Sequence, residues 1–288
     1  MGTLQFLVNG LAAGSVYGLV ALGFVLIYKA TEQVNFAQGE LMMLGAFMGV
    51  TFAQLGFGYV ASALLAALAM GVFGFLLDAL VLRRIIGQPA IAAVLLTIGL
   101  AFVFRAAATM IWGTAPLPLP SPFDGMTLRV GGLNVPGVML AIVVSTLVLC
   151  GLLYAFFAAT RLGLAMQAVS QNQMASYHAG IPVKTVCSLV WGMSAAVSAI
   201  AGVLLAPITL VDSNLGLVAI QAFTAAVIGG FGSIPGALLG GLFIGVVEQF
   251  AALNLGPGWK EAAAPAVLLL TLIVRPQGFL AQGGRRKV

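Results

Sequence analysis

The side chains that could do chemistry are few and far apart. The 288 residues include seven acids, one histidine and two cysteines. Five ionisable residues lie in or beside long apolar runs: Glu40, Asp78, Arg105, Asp212 and Glu248. Burying a charge in hydrocarbon is costly, so such residues mark routes, partners or interfaces. Asp78 stands one turn before Arg83 and Arg84, and reads as an interfacial residue that snorkels or pairs locally. Arg105 sits in the second half of its run and reads as snorkelling toward the outer headgroups. Asp212 falls in an outer connection. Glu248 is deeper, and two roles stay open for it: a structural bond between helices, or a place on a pathway. A proton relay needs acids or histidines in a chain, and this set is too scattered for one. That weighs against a proton-coupled carrier.

Other chemistries lack their residues. No G-x-x-x-x-G-K-[ST] occurs, so no phosphate-cradling loop is present. The glycine-rich stretch 229–236, GGFGSIPG, lacks the lysine and reads as a tight turn, with Pro235 opening the next helix. No H-E-x-x-H or G-x-S-x-G appears, and His178 has no companions at catalytic or ligand spacing. No catalytic residue, metal site or cofactor is therefore expected. Cys150 lies in an apolar run and Cys187 follows a basic loop, so a disulfide is not expected.

Composition names the solvent. The chain is 61% hydrophobic and 7% charged, against about 25% charged in soluble domains. A surface this apolar needs a lipid bilayer. The net charge of +5 resides in connections and at the C-terminus, which fits membrane orientation rather than nucleic acid. No positive charge precedes the first apolar run, which reads as an uncleaved span.

A spanning helix needs about 20 mostly apolar residues. Nine segments qualify as candidates: 4–28, 39–55, 59–82, 90–112, 135–157, 186–208, 216–231, 235–253 and 261–280. The expected fold is an all-α polytopic bundle of about nine spans (eight to ten), one transmembrane domain over 1–288. The second and seventh segments are short and interrupted, and either could be broken or re-entrant, which is tolerated where protein or a cavity shields it. Arg83, Arg84, Arg161, Lys184, Arg275, Arg285, Arg286 and Lys287 fall on one side if nine spans form. That side is then cytoplasmic and the N-terminus outside. The loop 113–136 lies opposite, with Asp124 and alternating Pro116, Pro118, Pro120 and Pro122, which suit an extended, stiff segment. Glycines four apart (Gly10, Gly14 and Gly18; Gly45 and Gly49; Gly236 and Gly240; Gly241 and Gly245) predict close helix contacts.

Two polar stretches stand out. The segment 35–40, NFAQGE, joins a long span to a short one. Asn35, Gln38 and Glu40 either line a translocation route, with Glu248 as a further candidate, or serve as a helix cap in which Asn35 satisfies free backbone N–H groups. The loop 160–185 is too polar to span and too regular for a linker. Ala165, Ala168, Val169 and Ala175 offer a small apolar face over a helix of roughly 165–179, and Gly180-Ile181-Pro182 stops it. Such a helix could dock into a separate motor protein or simply lie on the membrane.

These residues resemble the permease subunits of the branched-chain amino acid ABC importers. Asn9-Gly10-Leu11, Gly14 and Tyr17, then Ala21-Leu22-Gly23 and Ile27-Tyr28, resemble that family's first span. Asn35-Phe36-Ala37-Gln38-Gly39-Glu40, followed by Met43-Leu44-Gly45-Ala46, is similar to its N-F-A-H-G signature, with Gln38 where histidine is common. Arg161, Gly163, Ala165, Ala168-Val169, Gln171-Asn172 and Gly180-Ile181 resemble its cytoplasmic loop. Ala201-Gly202-Val203-Leu204-Leu205 and the run 222–237 are the most specific stretch, and Arg275, Pro276 and Gly278 match its terminus. The resemblance implies a permease without enzymatic activity in the bacterial inner membrane. It further implies a second homologous permease subunit, two cytoplasmic ATP-binding subunits and a periplasmic substrate-binding protein. The loop 160–185 would then couple to the ATPase through Ala165, Ala168, Gln171, Asn172, Ala175 and Gly180. The E-A-A-x-x-x-G pattern of ABC importers is altered here, with Met174, Ala175 and Ser176 ahead of Gly180. Related permeases carry urea, short amides or aromatic acids, so these solutes stay open beside branched-chain amino acids. A stand-alone secondary transporter or channel is the rival reading.

Overall fold

The computed structural model describes residues 2–85, 88–130, 133–256, 258–275 and 278–279. The calls on Pro276, Arg285, Arg286 and Lys287 lie outside them. Eleven α-helices form among the described residues: α1 (Gly2–Thr31), α2 (Gln38–Gln54), α3 (Tyr59–Leu80), α4 (Ala90–Trp112), α5 (Gly137–Ala159), α6 (Arg161–Gln171), α7 (Gln173–His178), α8 (Val183–Thr209), α9 (Ala219–Gly229), α10 (Ile234–Leu255) and α11 (Gly258–Val274). Each of the nine apolar segments falls on a helix. Six of these helices are long and apolar enough to cross a membrane; α2, α9 and α11 are shorter. The chain is a multi-pass helical membrane bundle, with six rather than nine helices of spanning length among the described residues.

Packing places α1 and α8 at the centre. They are 89% and 78% buried over their most apolar stretches, whereas α3, α4 and α5 are 28%, 22% and 17% buried. Those outer helices turn Leu64, Leu68, Phe102, Leu147 and similar side chains outward, as lipid contact requires. Lipid tails are as apolar as leucine, so close backbone approach must hold the centre together. A Cβ on Gly10 would stand 2.9 Å from the Gly245 carbonyl, and one on Gly14 2.7 Å from that of Gly241. This fixes α1 antiparallel against α10. The α3–α8 contact repeats the device, with Gly74 against Trp191 and Gly192 against Gly71.

The repetition runs further. The α1–α2–α3 and α8–α9–α10 units have the same order, a long helix, a break, a short helix and a long helix, and their long first helices run antiparallel. The α2 helix packs parallel to α8, with Gly45 on Ala199 and Gly49 on Val203; α9 packs parallel to α1, with Phe223 on Phe24 and Phe231 on Tyr28. Both breaks open on a non-glycine residue with positive φ, Glu32 (56°) and Leu210 (63°), the only two among the described residues. This is an inverted-topology repeat.

Local signals start the shorter elements. Thr160 accepts the Gly163 N–H at 2.9 Å to cap α6, Asn172 accepts that of Ala175 at 2.9 Å to cap α7, and Ser233 caps α10 through Gly236 at 3.1 Å. In the loop between α4 and α5, β1 (Thr127–Val130) pairs antiparallel with β2 (Leu133–Pro136). The proline-spaced stretch 116–122 forms no helix, and the two paired strands lie beyond it. Leu117 pairs with Val211 and ties this loop to the second break.

Candidate functional site

The first break, residues 32–37, turns the chain back from the C-terminal end of α1, and α2 begins beside the middle of α8. Gln38 anchors it: its amide donates to Ser194 (3.0 Å) and Ser198 (2.6 Å) on α8, and accepts from Asn35 at 3.0 Å. Asn35 in turn accepts the Ala37 N–H at 3.0 Å. Both side chains are wholly buried. Within this chain they hold the break in shape; the Asn35 oxygen accepts from Ala37, the residue before α2, and no side chain caps α2 itself.

Depth follows from helix geometry. Trp112, at the outer end of α4, donates to Thr51 of α2 at 2.8 Å. Glu40 precedes Thr51 by eleven residues, which at about 1.5 Å per residue sets it roughly 16 Å below that outer end. The α4 helix has 23 residues and is about 34 Å long. Glu40 is therefore about halfway along α4. Arg105 donates to it at 2.5 Å. The sequence reading of Arg105 as snorkelling outward is corrected: an ion pair inside the membrane is a better partner than distant headgroups, so the side chain reaches inward.

The second break arrives at the same place. Gly216 needs its missing side chain, because a Cβ there would stand 2.7 Å from Glu40 Oε2. Gly39 likewise abuts the Gly216 carbonyl and Ala219. The first turn of α2 thus meets a short 3-10 turn, Leu215–Val218, that leads into α9. Two helix N-termini, each with a positive dipole end, converge beside a Glu–Arg pair inside the bundle. Phe36 donates its N–H to Thr97 of α4 at 3.3 Å and lies against Phe223 of α9, ring centres 6.0 Å apart. Phe36, Leu217 and Ile220 are about half exposed.

The other acids are placed elsewhere. Glu248 accepts from Tyr17 at 2.8 Å between α10 and α1, with almost no exposure. Asp78 accepts from Ser188 at 2.6 Å, and Arg83 donates to the same hydroxyl at 2.8 Å, a local pairing. Asp212 accepts the Asn214 N–H at 3.0 Å in the outer connection. Tyr17, Thr97, Ser188, Ser194 and Ser198 were missed by sequence reasoning. Ser194 and Ser198, one turn apart in an apolar run, were the available signal for a hydrogen-bonding face.

The loop 160–185 folds as two helices, broken at Asn172, rather than one. Gly163, Met166 and Val169 are buried against the spans; Ala165 and Ala168 are half-buried; Gln171, Asn172, Met174, Ala175 and Tyr177 face outward. Gly180 has φ of 82°. Its N–H donates to the Tyr177 carbonyl and that of Ile181 to Ser176, both at 3.0 Å, a Schellman closure that suits glycine. Above α6, a cavity of about 890 Å³ separates α5 from α10, apolar at Leu22, Leu26 and Val190 and polar at Lys29, Gln167 and Ser170.

Residues 6–274 match the family described as branched-chain amino acid transport system / permease component. The chain is 34% identical to the high-affinity branched-chain amino acid transport system permease protein BraD of Pseudomonas aeruginosa, over 99% of this chain and 98% of BraD. It is 30% identical to the permease protein LivH of the corresponding Escherichia coli system, over 99% and 97%. Among solved structures, PsaBC from Streptococcus pneumoniae in complex with Fab is similar in fold, with a TM-score of 0.50 and 16% identity over 94% of this chain and 92% of that one.

Proposed function

The chain belongs to the family of permease components of branched-chain amino acid transport systems, and we propose that it carries branched-chain amino acids or related small polar solutes across the bacterial inner membrane. It is a transport permease and not an enzyme. In this reading ATP is hydrolysed by two cytoplasmic subunits, a second homologous permease completes the route, and a periplasmic binding protein delivers the solute. The chain crosses nine times with its N-terminus outside, and the two breaks with α2 and α9 supply two of the crossings. Residues 160–185 form the coupling loop within the single domain, and Met174, Ala175 and Tyr177 present the surface that meets the ATPase. Gln171 and Asn172 lie at its edge, Ala165 and Ala168 seat α6 on the spans, and Gly180 aims the return into α8.

One observation supports the placing of the route. The Arg105 side chain, within the spanning helix α4, is 34% exposed, whereas Glu40 is 6% exposed. A cation open to hydrocarbon there is costly. The face bearing Arg105, Phe36 and Leu217 therefore turns to the second permease and the solute path, not to lipid. Asn35 and Gln38 support that face from behind, and Glu248 braces α1 on α10.

The reading is tested by co-expressing the chain with its partner subunits and reconstituting the complex in proteoliposomes. ATP-dependent uptake of leucine, delivered by the binding protein, is expected. A purified chain that hydrolyses ATP alone, or an assembled complex that imports nothing on ATP, overturns it.

A further inference from the structure

We infer that the junction of the two breaks is a contact station for the zwitterionic head of an α-amino acid, with Glu40 facing its ammonium and Arg105 its carboxylate. The inference rests on the permease reading above and specifies the chemistry of its route.

Three observations carry it. The pair is incompletely engaged: Arg105 uses one terminal nitrogen on Glu40 Oε1, while Glu40 Oε2 and Arg105 Nε are buried without a hydrogen-bond partner among the described residues. Glu40 is nearly wholly buried, and its carboxyl group lies flat against Gly216, where a Cβ would stand 2.7 Å from Oε2 and 2.8 Å from Oε1. A buried charged oxygen without a partner is costly, so a fully closed structural pair would be expected to use it. The open atoms are one acceptor and one donor on adjacent groups. An α-amino acid offers the complement, a donor and an acceptor on a single carbon.

The surroundings add sign and shape. The N-termini of α2 and of the turn leading into α9 both point at this place, and their dipoles favour a carboxylate. Discontinuous helices of inverted repeats hold solute carboxylates in this way in other transporters. Phe36, Leu217 and Ile220 form a half-exposed apolar rim for an aliphatic side chain. The two charges neutralise each other while no solute is bound, so the station costs less in hydrocarbon than either charge alone. A solute that exchanges onto the pair leaves the site electrically unchanged.

The test uses the reconstituted complex with Glu40→Gln, Arg105→Gln and the swapped double variant Glu40→Arg/Arg105→Glu. Each single variant is expected to lower leucine uptake at least tenfold while still copurifying with the ATPase subunits. The swap is expected to assemble without restoring uptake. Single variants that import like wild type, or a swap that restores uptake to within twofold, overturn the inference and show a pair that only braces the junction. A second readout does not depend on those variants. With Phe36→Cys in a background lacking Cys150 and Cys187, high concentrations of leucine are expected to slow labelling by a polar thiol reagent. Leucinol, which lacks the carboxylate, and isovalerate, which lacks the ammonium, are expected not to. Equal protection by all three, or by none, contradicts the inference. Failure of the permease reading itself would show in the unaltered complex as absence of ATP-driven import.

Discussion

At the scale of residues, the account divides the polar side chains into those that shape the breaks and those that face the route. Asn35 belongs to the first group, with two hydrogen bonds and almost no exposure. Asn35→Ala would leave the Ala37 N–H without its side-chain acceptor and the Gln38 oxygen with Ser194 alone, at about 1–3 kcal/mol. Lowered thermal stability of the purified complex is expected, with uptake falling in step. Gly180 is a backbone case. Its φ of 82° costs a side-chain-bearing residue about 1–2 kcal/mol, more for a β-branched one. Gly180→Val should leave membrane insertion intact and reduce stimulation of ATP hydrolysis by loaded binding protein, measured in the reconstituted complex. Much of this was legible in the sequence as single residues. Glu40 and Arg105 each stood out, but their pairing did not, because 65 positions separate them and no periodicity links one helix to another. Arg105 was assigned to the outer headgroups because a sequence shows depth along its own helix and not the partner beside it.

At the scale of elements, small residues let backbones touch, and side chains cannot be added there. Gly14→Val sets a branched side chain against the Gly241 carbonyl and should destabilise the α1–α10 contact by about 1–3 kcal/mol or more. The control is Gly99→Val on α4, where nothing lies within 4 Å of a built Cβ. Thermal unfolding in detergent should separate the two variants, and equal midpoints would contradict the packing account. The four-residue glycine spacings announced these contacts, and the shortness of the second and seventh apolar segments announced the breaks. The inverted repeat was not legible, because it resides in the matching order and direction of helices rather than in recurring residue types. The pairing of β1 with β2 was hidden by the prolines before it, which speak for their own backbone and not for the strands that follow. The division of the loop 160–185 at Asn172 was hidden too, since asparagine there caps a new helix rather than ending the only one.

At the scale of the whole molecule, orientation and route are linked. If the basic loops face the cytoplasm, single cysteines at positions 83, 161 and 184 should escape an impermeant reagent added outside, and one at 124 should react. Labelling of position 161 from outside would reverse the molecule and place α6 and α7 beyond reach of any ATPase. With the orientation fixed, the central claim is that the junction of the two breaks faces a water-accessible solute route, while the outer helices face lipid. The most direct measurement compares Leu217→Cys at the junction with Leu68→Cys on the outward face of α3, in an assembled complex lacking Cys150 and Cys187. Both positions lie inside the membrane and both side chains are about half exposed or more. During ATP turnover, position 217 is predicted to react with a polar, membrane-impermeant thiol reagent, and position 68 only with a lipophilic one. Identical behaviour at the two positions, each silent to the polar reagent, would place the junction in lipid or in a sealed contact and contradict the account.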